Sequence, residues 1–362
     1  MKNDGPVLVI NAGSSSLKLG LFAQRGDDVV ALWEANVEGS ASGEALAEGT
    51  RRMVAEVHNP VGIVAHRIVH GGATLLEHRL IDADVTAALR ESADFAPLHV
   101  PVALRLIDAA EHLFEGVPQV ACFDTAFHRT LPELARRLPI PQRWHERGVR
   151  RYGFHGLSCE SIVHRFGADL PGRTIVAHLG SGASVTALLD GKSVDTSMGL
   201  TPTGGIVMGT RTGDLDPGVL VYLMRQGLDV HAIEQLVDHE SGLAGLADGE
   251  HDMRKLEADP RHALAIAVFT ASVKKTIAAY AAVLGGVDLV VFTGGIGEHS
   301  AGVRRDVCSG LGWMGVQLDP ARNEAHAHEI ASGAVRVCVV PSEEDAQIAR
   351  RAFEVIATAT SS

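Results

Sequence analysis

The chain has 362 residues, 46% of them hydrophobic and 21% charged, with a formal net charge of −12. That length favours two domains with separate cores, and the composition is that of an ordinary globular protein. The acidic balance, with no run of Lys or Arg longer than two, argues against a nucleic-acid or acidic-membrane partner.

The first predicted element is a hairpin, VLVINAGSSSLKLGLF (Val7 to Phe22). An apolar strand breaks into Asn-Ala-Gly-Ser-Ser-Ser and resumes with Leu17, Leu19 and Leu21 in alternation. A hairpin turn needs only about two to five residues. Three consecutive hydroxyls exceed that need and offer backbone N–H and side-chain donors to an anion such as a phosphate, with Lys18 just beyond. A strand near Val30 to Trp33 follows, then a helix over 43–57 and an apolar run, Val61 to Ile68, ending in HRIVHGG. Helices over 85–92 and 100–114 flank APLHVP. The strand 117–123 then delivers Asp124 at its carboxyl end, where ligands bind in open α/β sheets. A Pro- and Arg-rich stretch, 131–151, reads as the crossing between halves.

The second half opens with YGFHGLS and a helix over 158–166. TIVAHLGSGASVTALL (Thr174 to Leu189) repeats the first hairpin: Asn11 falls opposite His178, Gly13 opposite Gly180 and Ser14 opposite Ser181. This implies an internal duplication and two loops able to grip a phosphate chain. A glycine-rich passage, SMGLTPTGGIVMGTRTGDLDPG, precedes helices over 218–226, 230–238 and 263–284. The last of these, interrupted by Lys274 and Lys275, reads as a buried helix and not a membrane span. The strand 287–292 runs into TGGIGEHS and a helix, and the strand 335–340 leads into PSEEDAQIAR and a terminal helix.

The standard nucleotide signatures fail. Thr186 stands where a P-loop ending in Gly191-Lys192-Ser193 needs Gly, and Ser300 stands where a dinucleotide fingerprint needs its third Gly. Gly294, Gly295 and Gly297 before a helix remain: they allow a flat ligand close to the backbone and an anion at the helix start, though alone they read equally as a strand-to-helix turn. Cys122, Cys159, Cys308 and Cys338 are widely spaced and form no CxxC, which suggests neither zinc nor disulfides; all but Cys159 lie in or beside apolar segments and read as core. His328-Glu329 lacks the second His of HExxH. MKNDGP lacks the apolar stretch of a signal peptide, so a cytoplasmic location is expected.

Taken together, these elements resemble the actin, hexokinase and heat-shock-chaperone superfold, an α/β class with two duplicated ribonuclease-H-like domains. Within it, VINAGSSSLK, HRIVHGG, APLHVP, FDTAFH, YGFHG, HLGSGAS, SMGLTPTGG with MGTRTGDLDPG, DMRKL, TGGIGEH and VVPSEED are similar to the acetate kinase family, from Val7 to Arg350. The resemblance implies ATP + acetate ⇌ ADP + acetyl phosphate with Mg²⁺ or Mn²⁺. It also implies domains at 1–150 and 151–362 with the active site in the cleft between them, a C-terminal helix able to pack back on the first, and a homodimer. Arg67 would bind the substrate carboxylate, Asp124 would be the essential acidic residue, and His155 and Arg211 would stabilise the transferring phosphoryl. Asn11 and Glu344 would help hold the metal. Lys18, His178, Leu179, Gly180, Ser181, Gly182, Asp252, Met253, Arg254, Gly295, Ile296, Gly297, Glu298 and His299 would surround ATP. Val69, Leu98, Phe154 and Pro202 would line the methyl pocket.

The residue types suit that chemistry. Phosphoryl transfer is loose and in line, so positioning and cations supply most of the catalysis. Arginine forks match carboxylate and phosphoryl groups. Acetate is ionised at neutral pH, titrating near ~4, so no general base is needed and Asp124 is expected to orient Arg211 or the metal shell. Taken singly, Arg67, Arg211 and Asp124 read as salt-bridge residues and His155 as a core histidine; their ordered context favours function. Ser181 and His299 stand where the family usually has Asn, and Glu343 replaces an amide and could compete for metal. The alternatives are a propionate or other short-chain acyl kinase and, in a different class, a non-catalytic actin-like nucleotide-binding regulator.

Overall fold

Alternation along the first hairpin decides how its sheet is clothed. Successive strand residues face opposite sides. Leu8, Ile10, Leu17, Leu19 and Leu21 therefore share one core with Leu46, Met53 and Leu106, whereas Val7, Val9 and Phe22 share another with Cys122, Ile348 and Ala352. The computed structural model describes residues 5–13, 16–38, 41–57, 59–96 and 99–361. It divides into two units: Met1–Arg129 with Gly156–Ser161 and Glu343–Ser362, and Thr130–His155 with Ile162–Ser342.

The first unit is built on strands β1 (Val7–Ala12), β2 (Ser16–Arg25), β3 (Asp28–Glu38), β4 (Ile63–Ile68), β5 (Arg79–Leu80) and β6 (Gln119–Phe123), in the order β3-β2-β1-β4-β6-β5. β1, β2 and β3 form an antiparallel meander, while β1, β4 and β6 run parallel. The parallel strands thus bring Asn11, Arg67 and Asp124 to one edge. Helices Gly43–Glu56 and Val100–Leu113 cover one face; the first starts at Ser42, whose Oγ accepts from Ala45 N–H. Helix Glu344–Ser361 covers the other, burying Ile348, Ala349 and Ala352. Burial of Ile348 alone is worth about 1.5–3 kcal/mol.

The second unit repeats the plan with β7 (Arg173–Leu179), β8 (Ala183–Leu189), β9 (Lys192–Thr196), β10 (Leu289–Thr293) and β11 (Arg336–Val339), ordered β11-β10-β7-β8-β9. Again a three-strand meander leads into parallel strands. The duplication expected from the two hairpins is present in the topology. Helix Ala263–Leu284 is long and apolar enough to cross a membrane by length and composition. One of its faces buries Phe269, Val273 and Ile277 in the second unit, while Leu264 and Val283 are exposed.

The division expected at residue 150 differs from the observed one. Thr130 Oγ1 donates to Ser193 O, and Arg151 Nη1 donates to the carbonyls of Thr196, Ser197 and Met198, which ties 130–155 to the second sheet. Gly156 N–H donates to Asp124 O, within the first unit. All four cysteines are buried, and none is in a disulfide among the described residues.

Candidate active site

In the first unit, the carboxyl edge of the parallel strands carries a continuous polar network. Asp124, just past β6, is buried and grips Arg67 side-on: Nε lies 3.1 Å from each carboxylate oxygen and Nη2 2.7 Å from Oδ2. Arg67 Nη1 donates to Asn11 Oδ1 at 3.2 Å, and Asn11 Nδ2 donates to Asp345 Oδ1 at 2.5 Å. Arg67 thereby keeps one N–H on each terminal nitrogen without a protein partner among the described residues. Burial works against its charge, but the carboxylates of Asp124, Glu344 and Asp345 outweigh it and hold the guanidinium pKa above its usual value. Asp345 shows the opposite imbalance. Burial, reinforced by Glu344, raises its carboxyl above the ordinary range despite Asn11, Lys18 and Arg67. Lys18, exposed on β2, pairs in register with Asn11. Thr125, next to Asp124, has a buried hydroxyl with no protein partner.

This corner suits a hard divalent cation. Its donors are carboxylate and amide oxygens, and a cation would offset the burial, reinforced by Glu344, that raises the Asp345 carboxyl. Among the described residues no group of three or more His, Cys, Asp or Glu could hold a metal ion. That is compatible with Mg²⁺, which keeps waters and takes one or two carboxylates together with substrate phosphates. Glu343 pairs with Arg350 at 3.6 Å.

In the second unit, the corresponding edge assembles a different set. His178 ends β7, and its ring stacks on that of His155 at 4.2 Å between centroids. His155 occupies the left-handed region (φ 57, ψ 27), uncommon for a residue with a Cβ and concentrated at functional sites. Its Nδ1 lies 2.9 Å from Ser184 Oγ. A Cβ added at Gly182 would sit 3.3 Å from His155 Nε2 and 3.4 Å from Arg211 Nη1, so these two side-chain tips lie close together beside the bare Gly182 backbone. Arg211 Nη1 also donates to Pro202 O, and Gly209 N–H fixes Ser181 O.

The glycine segment after β10 packs onto this loop. Gly294 has φ +76, and a Cβ there would meet Leu179 O at 2.8 Å. Gly295 and His299 are exposed, Ile296 is half-buried and Gly297 is buried. The Glu298 carboxylate accepts from Gly294 N–H in its own segment and from Ser342 N–H after β11. Asp252 caps the short helix Met253–Ala258 and holds Arg254, so these two residues partner each other; Met253 is buried. Ser300 Oγ donates to Glu257 Oε1 at 2.6 Å, linking that helix to the glycine segment. Thr293, where β10 ends, has a buried hydroxyl with no protein partner.

The sequence-predicted residues thus gather into two sets: Asn11, Lys18, Arg67, Asp124 and Glu344 in one unit, and His155, His178, Leu179, Gly180, Ser181, Gly182, Pro202 and Arg211 in the other. Val69 and Phe154 are buried, in the first and second unit respectively. Leu98 and Ser14 lie outside the described residues. Sequence reasoning missed Asp345 and Ser184, and it did not anticipate Arg67 as a partner of Asp124. The adjacent acids at 344 and 345 were visible, but the partner of each depends on how the last helix docks.

Known proteins are similar to this chain in sequence and fold. The model of the acetokinase family matches residues 6–350. An acetate kinase of Acaryochloris marina is 38% identical over 394 residues, covering 96% of this chain and 99% of that one. Among solved structures, a propionate kinase from Francisella tularensis superposes with a TM-score of 0.88 at 32% identity, covering 97% of this chain and 100% of the other. The acetate kinase of Porphyromonas gingivalis gives 0.82 at 34% identity, with the same coverage. The duplicated α/β architecture is accordingly that of the actin-like and hexokinase-like kinases. Matched along nearly its whole length in both sequence and fold, this chain belongs to the acetokinase family.

Proposed function

We propose that the protein catalyses reversible transfer of the terminal phosphoryl group of ATP to acetate, giving acetyl phosphate and ADP. The observation that carries this reading is Arg67, fixed by Asp124 and Asn11 yet keeping an N–H on each terminal nitrogen for a small carboxylate. Acetate is already ionised at neutral pH, so its oxygen attacks phosphorus without losing a proton. Asp124 acts by holding Arg67, not as a base. His155 Nε2 and Arg211, aimed at the Gly182 backbone, stabilise charge on the equatorial oxygens. The His178–Gly182 loop and the 295–299 segment bind the nucleotide, with Lys18, Asp252, Met253 and Arg254 as further contacts. Asn11, Glu344 and Asp345 would hold Mg²⁺, which when bound would neutralise charge on the phosphates. Val69, Leu98, Phe154 and Pro202 would enclose the acyl chain.

Propionate is the second reading, favoured by the likeness to the Francisella tularensis propionate kinase. We also infer a homodimer of cytoplasmic location. The support for the dimer is the helix pair Pro217–Arg225 and Val230–His239, which has no buried residue while Val221, Tyr222, Met224 and Val230 lie exposed. The deciding experiment is ADP release with acetate, propionate and butyrate, combined with hydroxylamine trapping of the acyl phosphate. Acetyl hydroxamate formed in step with ADP is expected. Nucleotide binding without any acyl phosphate would overturn the kinase reading and favour the regulator.

A further inference from the structure

The proposed mechanism needs an N–H, not a lone pair, on the side of His155 that faces the phosphoryl group. A neutral imidazole carries one donor and one acceptor nitrogen, and the partner of one nitrogen fixes the role of the other. His155 Nε2 points to the Gly182 backbone beside Arg211 Nη1, and its Nδ1 lies 2.9 Å from Ser184 Oγ.

We propose that Ser184 sets the working tautomer of His155. Its hydroxyl donates to Nδ1, so the ring proton resides on Nε2, facing the transferring phosphoryl. The inference rests on the kinase reading above, in which His155 acts on that group. Ser184 is a positioning residue and touches no reacting atom.

Three features carry the assignment. Ser184 is 1% exposed in β8, between the buried apolar residues Ala183 and Val185, a place where packing alone calls for no hydroxyl. Its register partner is His178, whose ring lies against that of His155, so the imidazole is held on its face by one residue and at its edge by the neighbouring strand. Among the described residues, Ser184 Oγ has His155 Nδ1 as its one hydrogen-bond partner, which leaves its hydrogen available for that nitrogen. The reverse polarity, with Nδ1–H donating to Oγ, would turn the Nε2 lone pair toward phosphoryl oxygens and repel them.

The test uses the full-length chain as wild type, S184A, S184T and H155N. Long-range ¹⁵N–¹H spectra of the imidazoles report the tautomer, with H155N identifying the His155 signals; steady-state kinetics with ATP and acetate run in parallel. Wild type should show the Nε2–H form. S184A should show a mixture and lose about tenfold in kcat, with both KM values within about twofold, and S184T should restore spectrum and rate. A wild-type spectrum in the Nδ1–H form overturns the inference whatever the variants do, as does an S184A protein with unchanged tautomer. If H155N keeps wild-type kcat, the role of His155 in the reaction fails instead, and the spectra separate the two failures.

Discussion

His66 makes the first unit sensitive to acid. It lies on β4 beside Arg67, 1% exposed, with Nε2 2.6 Å from Gln119 Oε1. Gln119 Nε2 donates to Glu111 Oε2 and Ile107 O, so its oxygen must accept and His66 Nε2 must carry the proton. Nδ1 is buried without a partner, and protonation would place a charge there. Burial lowers the pKa from 6.5 to about 4, the Gln119 bond offsetting only part of this. Between those two values the unfolded chain binds the proton and the folded chain does not, so stability is fully present above pH 6.5 and is lost as pH falls toward 4. The whole window is worth about 3 kcal/mol, and about 2 kcal/mol should be gone at pH 5. Urea titrations from pH 7.5 to 5 would measure it, followed by Trp33 fluorescence in a background with Trp144 and Trp313 replaced, since only Trp33 belongs to the first unit. His66→Asn removes the titrating ring and retains a donor. The stability difference between wild type and variant should shrink by about 2 kcal/mol over that range, because all other groups cancel. Parallel pH profiles would refute the reasoning.

Arg211→Ala should lower kcat by about 10²-fold or more while changing KM for ATP little, as expected for a donor that acts on transition-state charge; near-normal kcat in steady-state assays would remove it from that role. Val69→Ala should raise kcat/KM for propionate relative to acetate by about tenfold, the worth of one methylene in an apolar pocket. An unchanged ratio in a folded, active variant would place Val69 in the core only. Tyr222→Asp, on the exposed helix face, should halve the mass seen by light scattering without lowering the melting temperature of the second unit. A variant that keeps the wild-type mass would move the dimer contact elsewhere.

Much of the site was legible because strand ends are legible. Apolar runs stop before Asn11, Asp124 and His178, and Arg67 falls near the end of another; parallel pairing then aligns the ends of the first three strands, β1, β4 and β6, along one edge of their sheet, and sets His178 on β7 in register with Thr293 on β10 in the second. The repeated hairpin announced the duplicated sheet for the same local reason. Partnerships were not legible. Asp124 meets Arg67 through the pairing of β4 with β6, and Asp345 meets Asn11 across 334 positions of sequence. Neither depends on spacing. The edge strands β5 and β9 are too short to show a period, and Asp252 and Arg254 form a local pair that a motif alone does not disclose.

The helix Glu344–Ser361 has a consequence for how the protein is made. It completes the core beneath β1, β4 and β6 and brings Asp345 to Asn11, yet it follows the entire second unit in the chain. During synthesis the first unit therefore emerges with Val7, Val9 and Cys122 uncovered, and waits while nearly two hundred further residues are added. At about 5–20 residues per second that delay is on the order of ten seconds or more, during which an unfinished apolar face is open to chaperones or to misassembly. The second unit, continuous from 162 to 342 apart from its 130–155 segment, has no such wait. A chain ended after Ser342, which lacks only the last helix, should hold a protease-resistant second unit while the first unit is still cut, and the polar corner around Arg67 should form only when that helix is present.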